Sequence, residues 1–127
     1  MKRLILTIAI LGLVASSGSV MNAGKVEANG TERAVVEFTE TVKLLDVFLR
    51  GEYLVIHDDS RMAKGEACLY IYDNSYHERL VASFHCKPIV RSKASTFKII
   101  TTRRSWFEVP EVLEIQFAGS TKAHQIP

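Results

Sequence analysis

"ACLYIYDNSYHERLVASFHC", residues 67–86, is the stretch that decides the fold. Two apolar runs, "ACLYIY" at 67–72 and "RLVASFHC" at 79–86, flank Asp73, Asn74 and Ser75. β-branched and aromatic side chains suit a pleated surface, and Asp, Asn and Ser favour turns by bonding their own backbone. The stretch reads as a β-hairpin. If it is symmetric about residue 77, residue 70 pairs with 84 and 72 with 82. Cys68 then stands opposite Cys86. These are the two cysteines of the chain, and opposed side chains lie close enough to be bridged after modest twisting. In that register both faces are largely apolar. The hairpin is therefore expected in the middle of the protein, covered on both sides, with His85 half-buried.

Outward from this hairpin the chain keeps the same rhythm. "AVVEF" at 34–38 is a short β-prone run. "TVKLLDVFL" at 41–49 suits a strand or a helix; a hairpin with strands 42–49 and 52–57 around Gly51 is preferred. "TFKIITTR" at 96–103 alternates Phe97, Ile99 and Thr101 with Lys98, Ile100 and Thr102. "VLEIQFA" at 112–118 alternates Leu113, Ile115 and Phe117 with Glu114 and Gln116, so one face is expected in the core and the other in water. "TKAHQIP" at 121–127 reads as a tail. About six or seven short strands at roughly ten-residue spacing argue for an all-β fold, a small antiparallel sandwich or barrel, with a β-rich α+β fold as the alternative.

The N-terminus reads as an address. Lys2 and Arg3 precede an apolar run at 4–15, and small and polar residues follow. This is the order of a secretory signal peptide, and the run falls well short of the ~20 residues a membrane span needs. Val26-Glu27-Ala28 supplies small residues for cleavage before Asn29, with Met21-Asn22-Ala23 as a weaker site. Residues 1–28 are thus assigned to a signal peptide and 29–127 to one β-rich domain, secreted or periplasmic and without a stable membrane anchor. The whole chain carries 16 basic and 14 acidic residues. Without 1–28, which hold Lys2, Arg3, Lys25 and Glu27, the charges balance. A neutral domain offers no electrostatic reason to bind nucleic acid. In an oxidising compartment a Cys68–Cys86 disulfide is expected, and a small core benefits from it.

The chemistry-bearing residues gather around "HDDSRMAKGEAC" at 57–68. A metal reading collects His57, Asp58, Met62, His85 and, less firmly, His124, since imidazole with thioether suits copper and imidazole with carboxylate suits zinc. The spacing matches no H-E-x-x-H or C-x-x-C motif. The favoured structural account is a strand end whose Asp58 and Asp59 cap the loop backbone. His57 with Asp58 or Asp59 could serve as an oriented base for Ser60, Ser83 or Cys86, but there is no G-x-S-x-G elbow. Arg103, Arg104 and Trp106 form a cationic and aromatic loop that could contact a partner or a glycan. The arrangement preferred for that loop folds Trp106 and Phe107 back onto the core.

"HDDSRMAKGEAC", "SFHC" and "AGSTKAH" together resemble small secreted bacterial proteins of unknown function that carry an H-D-D-x3-M-x2-G-E-x-C … F-H-C pattern. The resemblance covers roughly residues 42–127. It implies a secreted single-domain β-protein and carries over no ligand residue. The expected function is non-enzymatic: a small exported β-domain without a cofactor that binds or structures something in the envelope. The alternative is a periplasmic copper- or zinc-binding protein, and a weaker one is a hydrolase or redox enzyme.

Overall fold

The computed structural model describes residues 18–26, 30–74 and 79–127. In chain order the elements are β1 (Gly18–Val26), β2 (Thr31–Leu44), β3 (Val47–Asp58), α1 (Asp59–Ala63), β4 (Leu69–Asp73), β5 (Arg79–Phe84), β6 (Lys87–Val90), β7 (Lys98–Thr102), β8 (Glu111–Gln116) and β9 (Lys122–Gln125). The fold is all-β, one curled, barrel-like sheet. Its main path runs β5-β4-β3-β2-β8-β9-β6, with β1 added to β2 and β7 to β8. All pairings are antiparallel except the short parallel contact of Lys43 with Glu111. The expected signal peptide lies outside the described residues except for β1, which pairs with β2 from Gly18 opposite Phe38 to Val26 opposite Glu32. Cleavage before Asn29 would remove β1 and open that side of β2.

The long hairpin β2–β3 is the spine. Along β2, Glu32, Ala34, Val36 and Phe38 are all buried, the period-two signature of one face turned inward. The turn of this hairpin differs from the expected one. Leu44 pairs with Val47 across Leu45 and Asp46, and Leu45 takes a positive φ of 54°. Gly51 instead pairs with Phe38 inside β3, next to a register shift that spans Phe38 to Val42. A positive φ at leucine is uncommon, so residue type gave no hint of this turn.

The cysteine hairpin is also shifted from the symmetric register. Leu69 pairs with Phe84 and Tyr70 with Ser83, and a further shift falls between Ile71 and Tyr72. The disulfide Cys68–Cys86 forms all the same, with the Cα atoms 6.4 Å apart. Cys86 lies past the end of β5, and its N–H donates to Cys68 Sγ (3.1 Å) while the Cys68 N–H donates to Phe84 O (3.2 Å). Only half of the expected central placement holds. Leu69, Tyr70 and Ile71 of β4 are buried, but β5 is the edge of the main path and most of its residues are exposed or half-buried. His85 is accordingly exposed.

Two further expectations are corrected at the C-terminal end. Glu114 and Gln116 are buried, and Leu113 is exposed. β8 has neighbours on both sides, and the segment before β7 covers its outer face. Arg91 donates to both Glu114 carboxylate oxygens (3.0 and 2.8 Å), and Gln116 Nε2 donates to Ser92 O and Ser120 O (2.8 Å each). Residues 121–127 are no loose tail: β9 sits between β8 and β6. Pro88 falls on β6, the edge strand opposite β5, where a missing N–H is tolerated. The alternation of Phe97, Ile99 and Thr101 holds, all three being buried.

Trp106 and Phe107 do not fold onto the core; they are 86% and 97% exposed. Arg103 lies over the Trp106 ring at 5.9 Å and donates to Glu40 Oε1 at 3.2 Å. Because neither aromatic ring is buried, Trp106→Ala and Phe107→Ala are expected to change stability by less than about 0.5 kcal/mol. Urea midpoints of the two variants check this; a fall as large as that of a core truncation would place the loop against the body of the protein.

Candidate metal centre

The inward face of β2 begins with a carboxylate. Glu32 shares that face with Ala34, Val36 and Phe38, and its register partner on β3 is His57. The antiparallel pairing therefore sets Glu32 and His57 side by side. From the far side of the curled sheet β9 delivers His124, whose register partner on β8 is Ile115. The two imidazoles stack with centroids 3.9 Å apart and planes 28° apart. Phe117 stands edge-on to His124 and tilted to His57. Both histidines are 1% exposed and Glu32 is 8% exposed.

His57 Nδ1, His57 Nε2 and His124 Nε2 are buried without a hydrogen-bond partner. Leaving a buried polar group unsatisfied costs about 1–3 kcal/mol. Three such atoms in one cluster call for a partner. The nearest oxygens are carboxylates. Glu32 Oε1 lies 3.5 Å from His57 Nδ1 and 3.7 Å from His124 Nε2, and Asp59 Oδ1 lies 3.6 Å from His57 Nδ1. Donor atoms held at about 2.0–2.2 Å in a tetrahedron stand about 3.3–3.6 Å from one another. The three separations match that spacing to about a tenth of an ångström.

The surroundings give the cluster a mouth. A cleft of about 300 Å³ is lined by Gly30, Glu32, His57, Asp59, Gly119, Ser120, Thr121 and Lys122. Gly30 has φ +83°, and a Cβ there would stand 3.4 Å from the Asp59 side chain. A larger residue would be strained by that backbone conformation, while its Cβ would make ordinary contact with the Asp59 side chain. The expected capping is present one residue earlier: Asp58 Oδ1 accepts from the N–H groups of Ser60 and Arg61 (3.0 and 3.3 Å) and from the Ser60 hydroxyl (2.6 Å). The Ser60 hydroxyl, with these N–H groups, holds the Asp58 carboxyl below its usual range. Asp58 is thereby spent on the first turn of α1, and Asp59 is the carboxylate left to face His57.

Burial holds the His57 pKa below its ordinary 6.5, and the adjacent His124 adds to that; Asp59 and Glu32 act in the opposite sense. The neutral imidazole that results is the form that binds a metal. In the unfolded chain this histidine takes up a proton near pH 6.5, but in the fold only at lower pH. The contribution of His57 to the stability of the metal-free protein is therefore full above about pH 6.5 and is lost as pH falls from there through the lowered value. Thermal midpoints across this range check it against His57→Gln, in which the slope is expected to flatten; an equal slope in the variant would assign the effect to another group.

Of the residues singled out in the sequence, the structure brings together His57 and His124, with Cys86 beside them. His85, one residue past the end of β5, is exposed and stands outside the cluster. Met62, on α1, packs against the hydrophobic core. Glu32 was missed. Its signal was the alternation 32, 34, 36, 38, which extends the apolar face of β2 by one carboxylate. In comparisons with known proteins, no family model, no curated protein and no solved structure matches this chain.

Proposed function

We propose that this protein is a small exported domain that binds one divalent transition-metal ion, of the zinc or copper class, through His57, His124 and Glu32, with Asp59 at the mouth. The observation that carries the reading is the set of three unpartnered imidazole nitrogens, two of which, His57 Nδ1 and His124 Nε2, flank the Glu32 carboxylate. Imidazole with carboxylate suits zinc, and imidazole also suits copper. The Cys68–Cys86 disulfide supports an oxidising compartment. Among the described residues no helix is long and apolar enough to cross a membrane.

Calorimetric titration of the oxidised, metal-free protein with Zn2+ and Cu2+ tests the reading. One equivalent is expected to bind. Changing residues around a metal ligand costs about 10–100-fold in affinity, so losing a ligand should cost at least about 100-fold in His57→Ala and His124→Ala. Glu32→Gln keeps the shape and loses the charge, and is expected to weaken binding in the same direction. Absence of stoichiometric binding, or equal affinity in the histidine variants, would overturn the assignment.

A further inference from the structure

Cys86 Sγ lies 3.5 Å from His124 Nδ1. His57, Cys86 and His124 each offer a donor atom, all within 4.8 Å of one another. The stacked imidazoles therefore have two sets of neighbours. Glu32 and Asp59 stand beside His57 Nδ1, and Glu32 beside His124 Nε2, while the Cys86 sulfur stands beside the other nitrogen of His124. A thiolate and an imidazole bound to one tetrahedral ion, at about 2.3 Å and 2.0–2.1 Å, hold sulfur and nitrogen about 3.5–3.6 Å apart. The spacing in the fold already meets that value. What withholds the sulfur is its chemistry, because the metal ligand is the thiolate and Cys86 is tied to Cys68.

We infer that the Cys68–Cys86 disulfide is a redox switch on the metal site: once it is reduced, the Cys86 thiolate, His124 Nδ1 and His57 form a second ligand set that takes the ion in place of the Glu32 side and biases the site towards thiolate-preferring ions such as Cu+ and Zn2+. The inference rests on the metal-binding reading above. Cys68 is fully buried and Cys86 half-buried, so a reductant meets the Cys86 sulfur first. With a water-soluble phosphine, phosphorus attacks Cys86 Sγ, the S–S bond breaks and its electron pair leaves on Cys68 Sγ. Water then hydrolyses the phosphorus–sulfur adduct, giving the Cys86 thiol and the phosphine oxide. A dithiol reaches the same state by exchange and ends as its own cyclic disulfide. Metal binding displaces the Cys86 thiol proton. By reciprocity, the bound ion protects the pair against reoxidation.

Anaerobic titration with Co2+, followed by ultraviolet and visible absorption, tests the switch. A thiolate-to-cobalt charge-transfer band is expected from phosphine-reduced wild type and from Cys68→Ala without reductant. It is expected to be absent from oxidised wild type and from Cys86→Ala in either condition. Zinc affinity measured by chelator competition should rise at least about tenfold on reduction of wild type and stay constant in Cys86→Ala. If oxidised protein binds one ion and reduction brings neither the band nor the tighter binding, the switch is overturned and the metal site stands. If neither form binds, both fall. Should Cys68→Ala fail to fold, reduced wild type decides alone, since its oxidised form is the folded reference.

Discussion

Phe117→Ala is expected to lower the unfolding free energy by about 3–5 kcal/mol. Phe117 has no exposed surface and is among the largest fully buried side chains. It packs against Phe97 at 5.1 Å between centroids, and against His57 and His124 on its other side. Truncation thus removes apolar contacts and leaves a cavity at the junction of β7, β8, β9 and β3. For a domain near 100 residues each kcal/mol is worth about 4–8 °C, so the thermal midpoint should fall by about 12 °C or more. Urea denaturation gives the comparison. A loss below about 1 kcal/mol would mean that the imidazole pair, and not this ring, holds the two halves of the sheet together.

The second large effect concerns the cross-link. Cys68→Ala with Cys86→Ala is expected to cost about 3 kcal/mol, the chain-entropy value for a loop closed over 18 residues. The loss should be seen in metal-free protein compared with oxidised wild type. The unfolded variant is the less constrained chain, so its denaturant slope should rise as its midpoint falls. Cys68 lies in the core and contacts Phe84 O, so alanine there also loses some packing. Equal midpoints would show that β4 and β5 are held by their pairing and core contacts without help from the bridge.

The strand content was legible because it rests on local chemistry. Runs such as "ACLYIY" and "TFKIITTR" are β-prone residue by residue, and the turn residues between them act through their own backbones. Register was less legible. The symmetric hairpin around residue 77 and the turn around Gly51 both assumed regular pairing, whereas the chain carries register shifts between Ile71 and Tyr72 and between Phe38 and Val42. A shift is set by how many residues the curl of the sheet needs on each strand, which no short window contains.

Burial of polar residues was the least legible feature. Glu114 and Gln116 look solvent-facing until Arg91, Ser92 and Ser120 are seen to supply their partners across 24 residues or fewer. Trp106 and Phe107 look like core residues until the loop is seen to hold them in water. His85 looked half-buried only while the cysteine hairpin was taken to be central and to extend through it.

By itself the sequence favoured an all-β chain, Cys68 and Cys86 within bridging distance, and a cap on the turn after β3 from the Asp58-Asp59 pair, of which the structure uses Asp58. All three follow from neighbours close along the chain. Only the tertiary structure decided that Glu32, His57 and His124 share one buried pocket. They are 25 and 67 residues apart in sequence, and they meet because antiparallel pairing sets Glu32 beside His57 and the curl of the sheet carries β9 across to both.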